Sequence, residues 1–258
     1  MSELVTEFGA ITIAAAFVVM LMAGFVKGTV GFALPMLTIS GVGSLLSAEL
    51  AIAAIIFPGL VTNIMQAFRD GITAALGTLR TYWRLNLILF CLIGIFAQLV
   101  VLLPDWTLFL ILGAMVSSFA TLQLSGWIPA CPDRLARRAE MTAGVFSGIF
   151  GGLAGVWGPP ILLFLLSRNT PKVDGVRAQG ISFLIGSIVL TFAHLKSGLL
   201  SGAAVPFSAA MVIPAVVGMT LGMWVQDGLD QRLFRRMALI VLIVAGLNLI
   251  RRGLIVLG

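Results

Sequence analysis

Uncharged apolar runs occupy positions 50–68, 85–104, 106–132, 141–167, 197–226 and 237–250. Several reach or exceed the roughly 20 residues that a helix needs to span hydrocarbon. Between them lie short clusters of arginine, proline and glycine. The pattern predicts an all-α integral membrane protein with ten helical elements in two sets of five. The first set covers about 8–26, 32–46, 49–68, 85–103 and 106–126; the second covers 141–155, 159–167, 177–194, 204–225 and 236–257. One transmembrane domain spans 1–258, with a first half at about 8–126 and a second at about 137–257. A connecting loop at about 127–140 is rich in proline and charge.

Composition removes most alternatives. Hydrophobic residues make up 60% of the chain and charged ones 10%, with a mean hydropathy of +1.12; soluble domains carry roughly 25% charged residues. The opening MSELVTEFG carries Glu3 and Glu7 in place of the positive segment of a secretory signal, so the first apolar element is expected to be retained. Cys91 and Cys131 give neither a disulfide framework nor a metal-ligand spacing, and no cofactor is expected. There is no HExxH motif, only one histidine, and no serine with a nearby base, so the reading is not an enzyme.

The net charge of +6 does not point to nucleic acid, because placement outweighs the sum. With an external start, one side receives Arg69, Arg80, Arg84, Arg134, Arg137, Arg138, Arg168, Lys172, Arg177, Arg232, Arg235 and Arg236. The other side receives Glu3, Glu7, Glu49 and Asp105, with Lys196, Arg251 and Arg252 as exceptions. The positive-inside rule then puts both termini outside. Because the halves start on opposite sides, any repeat between them is an inverted one, an arrangement typical of secondary transporters. The short first pair in each half either crosses twice or dips in as a re-entrant hairpin.

A repeat is present. GFVKGTVGFALPML (24–37) and GIFGGLAGVWGPPI (148–161) place Gly24, Gly28, Gly31 and Pro35 against Gly148, Gly152, Gly155 and Pro159, each displaced by 124 positions. Ala54, Leu60, Ile64, Phe68 and Gly94 recur as Ala178, Leu184, Ile188, Phe192 and Gly218 at the same displacement. Glycines and a proline break a membrane helix, which is tolerated where protein or a water-filled cavity covers the freed backbone.

The doubled G-x-x-x-G-x-x-G signature followed by proline, together with the chain length, resembles the TauE/SafE sulfite exporter family, also called the 4-toluene sulfonate uptake permease family. The resemblance covers essentially the whole chain. It implies a bacterial inner-membrane carrier of sulfite, organosulfonates or related small anions. Phe32, Ala33 and Leu34 stand where the commonest form of the motif continues in glycine.

The residues make an independent case for an anion. Pro35 and Pro159 suit the first turn of a helix, where no amide donor is needed. Half-helices after them would aim N-termini, with unpaired N–H groups and partial positive charge, into the membrane. Lys27 sits inside the first motif, far in sequence from any carboxylate, and its counterpart is Gly151. It reads either as the cation that offsets substrate charge or as a lysine snorkelling from a helix end. The expected substrate-binding set is Lys27, Gly28, Gly31, Pro35, Asn63, Gln66, Gly152, Gly155, Trp157, Pro159 and Gln179. For the glycines, close helix packing is the competing role. Thr62, Asn63 and Gln66 share a face of one element, and Gln179, Ser182 and Gly186 form a similar stripe.

His194, the single histidine, is expected to meet headgroups and water, with a proton-coupling role as the alternative. Trp83, Trp106 and Trp127 read as interfacial anchors. Glu49, Asp105, Asp174 and Asp227 all fall near element ends, so no carboxylate proton relay is visible. Expected partners are a small anion and the lipid bilayer, with no nucleic acid, and a homodimer is compatible with the sequence. Transport of small carboxylates, or a non-transporting assembly role, stays open.

Overall fold

A chain this apolar can pair its backbone within hydrocarbon only as helices or a closed barrel, and the described residues contain helices and no strand. The computed structural model describes residues 2–128, 130–225 and 231–257; Asp227 lies outside them, as do the side chains of Glu3, Lys172, Arg232 and Arg235. Among the described residues twelve α-helices follow one another: α1 (Ser2–Phe8), α2 (Ala10–Val30), α3 (Leu34–Leu45), α4 (Ala48–Ala67), α5 (Ile72–Thr81), α6 (Trp83–Phe96), α7 (Asp105–Ser125), α8 (Ala136–Ala154), α9 (Gly158–Ser167), α10 (Lys172–Ser197), α11 (Ala204–Val225) and α12 (Gln231–Leu257).

Ten of these correspond to the predicted elements. The additions are α1 and α5, the latter in a stretch whose arginines read as a loop. Three starts move outward: α8 begins at Ala136 instead of 141, α10 at Lys172 instead of 177, and α12 at Gln231 instead of 236. Charge marks where a helix leaves hydrocarbon, but arginine, lysine and glutamate are good helix formers and the helix continues past that point.

Seven described helical spans are long and apolar enough to cross a membrane, whereas α3 and α9 are shorter. At about 1.5 Å per residue, α3 and α9 reach roughly 18 and 15 Å, about half of a 30 Å hydrocarbon core. They cannot cross it alone. Two spans are more enclosed than the others: 61% of the α4 window and 72% of the α10 window are buried, against 28–39% elsewhere. These two helices pack on each other at the centre, flanked by α2 against α11, α6 against α8 and α7 against α12. Around them the large apolar side chains Ile11, Phe192, Ile213 and Trp224 stay exposed, as lipid-facing positions do. The predicted anchors Trp83 and Trp127 are exposed as well.

The 124-residue displacement carries α4 onto α10 and the α2–α11 packing onto the α8–α6 packing. Related positions share exposure: Ala54 and Ala178 are buried, Ile64 and Ile188 exposed, Phe68 and Phe192 exposed. In the first half, a Cβ on Gly24 or Gly28 would run into the α11 backbone at Ala215 or Met219. In the second, a Cβ on Gly148 or Gly152 would meet Leu92 or Phe96 of α6, each at 2.6 Å. Small residues here let helix backbones approach closely.

Arg252, an exception to the charge pattern, has a structural role at the far end of α3. Its guanidinium donates to the carbonyl oxygens of Gly43 and, at 3.3 Å, Leu46, and lies 4.6 Å from the Phe109 ring centre. The last carbonyls of a helix have no partner within it, and a cation there also suits the helix dipole.

Candidate functional site

The third glycine of each motif ends a helix. Gly31 closes α2 with φ 84°, and Gly155 closes α8 with φ 63°. Each donates its N–H to the carbonyl four residues back, on Lys27 and Gly151 respectively, at 2.8 Å. This left-handed cap suits glycine, which has no Cβ to clash. Beyond each cap the chain turns into the short helix with proline in its first turn. The tips of both broken hairpins, Phe32 to Met36 and Gly155 to Pro159, line one cavity.

The cavity is small, about 20 Å³, room for about one water molecule. Among the described residues, Lys27 is its only charged lining side chain. The side chain is 3% exposed, so it does not snorkel. Its Nζ donates to Thr62 Oγ1 at 2.9 Å and to Asn63 Oδ1, both on α4. Both acceptors are held from behind. Thr62 Oγ1 donates to Pro58 O at 2.6 Å, and Asn63 Nδ2 donates to Ser187 Oγ at 2.6 Å and Phe183 O at 3.1 Å on α10. Ser187 Oγ in turn donates to Phe183 O at 2.8 Å. The network ties α2, α4 and α10 together and leaves Lys27 only acceptors as partners, as an ammonium requires. An isolated buried charge would be costly; hydrogen-bonded, it is held in place.

Of the expected set, Lys27, Pro35, Asn63, Gly155, Trp157 and Pro159 line the cavity. Trp157 packs against Phe183, ring centres 6.4 Å apart, and its carbonyl accepts from Ser147 Oγ at 2.9 Å. The missing side chains at Gly151 and Gly186 make room for its indole. The other members lie elsewhere. Gly28 and Gly152 are packing glycines a turn before the breaks, and Gly31 is a cap beside the cavity. Gln179 bonds back to Gly175 O at 3.3 Å within α10. Gln66 is buried next to the Gly31 turn, with neither Nε2 nor Oε1 paired among the described residues. His194 corrects the headgroup reading: it is fully buried, and its Nε2 has no partner among the described residues.

Sequence reasoning missed Ser187 and Phe183. Their signal was available, since they stand 124 positions after Asn63 and Gly59. Ala33 was seen only as a departure from the motif. It has φ 81°, a left-handed conformation that strains any residue bearing a Cβ, and so occupies a glycine conformation without being glycine.

A second, wider cavity of about 910 Å³ opens among the ends of α5, α6, α8, α9 and α10. It gathers arginines from three of the predicted basic clusters: Arg84, Arg137, Arg168 and Arg177. Most are paired. Arg84 meets Glu140 at 3.5 Å, Arg168 meets Asp133 at 2.7 Å, and Arg177 meets both Asp70 and Asp174 at 3.1 Å. The hydrogen bond to Asp133 pushes the pKa of the Arg168 guanidinium upward. No group of three or more His, Cys, Asp or Glu residues among those described could hold a metal.

The profile of the sulfite exporter TauE/SafE family matches residues 16–249, a span that includes both broken hairpins and the α4–α10 pair. The chain belongs to the sulfite exporter TauE/SafE family. No curated protein and no solved structure matches it. TauE/SafE proteins are membrane exporters of sulfite and related sulfur-containing anions, which agrees with the seven described helical spans that are long and apolar enough to cross a membrane.

Proposed function

We propose that the chain exports a small sulfur-containing anion, sulfite or an organosulfonate, by alternating access at the cavity between the two hairpin tips. The observation that carries this reading is Lys27, a buried cation where two broken helices present their N-termini. Transporter sites characteristically lie at repeat interfaces among discontinuous helices. In this reading the halves are inverted repeats rocking around the α4–α10 pair, the cavity lies near the membrane midplane, and Gln66 lines the route to it. The protein sits in a bacterial inner membrane with both termini periplasmic, so the arginine-lined cavity faces the cytoplasm and collects anions.

Energetics favour export. An inside-negative potential moves a monoanion outward by roughly 2.3 kcal/mol per 100 mV, a gradient of about 50-fold. No second ion is needed. The test is flux in liposomes reconstituted with purified protein. Sulfite or a sulfonate should move at a rate that Lys27→Gln abolishes, whereas a broad anion panel with no flux would sink the transporter reading.

A further inference from the structure

We infer that the cavity selects its anion by charge number, taking monoanions and refusing dianions, so that sulfite crosses in its hydrogensulfite form. The inference rests on the transport reading above and adds to it a rule about which species is carried.

A bound anion faces a single charged side chain among the described residues. Among the described residues, Lys27 is the only titratable side chain lining the cavity, and its neighbours from α4 and α10, Thr62, Asn63 and Ser187, are neutral. Their hydrogens are committed to Pro58 O, Phe183 O and each other, so nothing drains the positive charge. An ammonium has three hydrogens. Two meet Thr62 and Asn63, and the third has no protein acceptor among the described residues.

The two helix N-termini do not contribute equally. The first turn of α3 contains one proline, but that of α9 contains Pro159 and Pro160, which remove two of its leading amide donors. Around that tip the wall is Val156, Trp157 and Phe183, all apolar. The cavity thus has its one cationic side chain at the Lys27 end and few donors at the other.

The lining makes the charge count strict. Among the described residues it offers no second cation beside Lys27, and the rest of the wall is largely apolar. A monoanion there forms a neutral pair with Lys27. A dianion would leave one negative charge without a partner among apolar side chains, a penalty of several kcal/mol. Sulfite exchanges with hydrogensulfite near neutral pH. A carrier that takes only the latter moves one charge and one exchangeable proton per anion. Proton movement then belongs to the substrate and needs no carboxylate relay.

The test uses wild-type protein in liposomes, with protein-free liposomes subtracted. Three anions are compared across a range of pH: total sulfite, methanesulfonate as a fixed monoanion and sulfate as a fixed dianion. Sulfite flux should rise as pH falls, in step with the hydrogensulfite fraction, while methanesulfonate flux stays level. Sulfate should move at least about 10-fold more slowly than methanesulfonate and should not compete with it. Sulfate moving as fast as methanesulfonate, or sulfite flux rising with pH, overturns charge selection. Methanesulfonate flux falling in parallel with sulfite as pH rises overturns it too, by placing the titration in the protein. No flux of any anion removes the transport reading instead.

Discussion

The two hairpin tips share a backbone plan and differ in chemistry. Both end a long helix with a left-handed glycine, Gly31 or Gly155, and restart it with proline in the first turn of a short one. Where the first tip carries Lys27 the second carries Gly151, and where the first strains Ala33 the second seats Trp157 at φ −102°. Geometry is what the duplication retains, because both helices must break at matched places to meet. Charge is free to differ, because one cavity needs one cation. A second lysine at the Gly151 position would collide with Trp157 and Ile93, so the asymmetry is built into the packing.

The comparison breaks most severely at Lys27. Lys27→Gln keeps a polar side chain but removes the charge, and an anion buried without its partner loses about 3–5 kcal/mol. Transport should fall at least about 10²-fold and up to several thousand-fold at about 1.4 kcal/mol per tenfold change, read as initial flux in liposomes with the fold checked by circular dichroism. Lys27→Arg should retain part of the flux. If Lys27→Gln transports normally, the first tip is not the charged one.

Asn63→Asp is the next largest. It sets a carboxylate on the Lys27 ammonium and replaces the amide that Ser187 and Phe183 O now accept from. The site becomes neutral before the anion arrives, and flux should fall roughly 10- to 100-fold, the range of a hydrogen bond to a charged group. Ser187→Ala, at the equivalent position in the second half, should lose less than Asn63→Asp. Equal losses would mean that the two halves contribute alike.

These residues also mark what the sequence could disclose. The membrane class, ten of the helices, the two breaks and Lys27 were legible, because apolar run length, glycine and proline placement and a solitary intramembrane charge each have a direct physical meaning. The roles within the glycine motif were not. Gly28 and Gly152 are as regularly spaced as Gly31 and Gly155, and spacing cannot tell a glycine that admits a neighbouring backbone from one that turns its own. His194 misled for a related reason: its nearness to Lys196 implied an interface, whereas the helix turns the two side chains apart, leaving the imidazole fully buried and Lys196 exposed. The α5 helix was hidden because Arg80, with Arg69 and Arg84 on either side of the helix, suits both a loop and an interfacial helix.

Stability should separate the caps. Gly31→Ala and Gly155→Ala each force a Cβ into the left-handed region, at about 1–2 kcal/mol. Around Gly31 the space is open out to Gln66 Nε2 at 4.0 Å, but at Gly155 the new methyl would run into Ile55. Overpacking adds about 1–3 kcal/mol. Gly155→Ala should therefore unfold several degrees below Gly31→Ala in detergent, at roughly 2–4 °C per kcal/mol. Equal melting temperatures would show that Ile55 moves aside freely.

The smallest effect is expected at Ala33→Gly, and its smallness is informative. Glycine relieves the left-handed strain, about 1–2 kcal/mol. It also raises the entropy of the unfolded chain, about 0.4–1 kcal/mol, in the opposite direction. Losing a methyl that is only 5% exposed removes about 0.8 kcal/mol more of burial. These terms nearly cancel, so the melting temperature should shift by no more than a few degrees. Flux is then the sensitive readout. A strained residue at a ligand cavity holds one backbone path among several, and glycine releases that restriction without touching Lys27. If flux falls while the melting temperature holds, the Ala33 backbone helps to fix the first tip against the second. If neither moves, the α3 first-turn proline and the Arg252 clamp at its other end suffice to hold the tip, and the alanine is a glycine position filled at little cost.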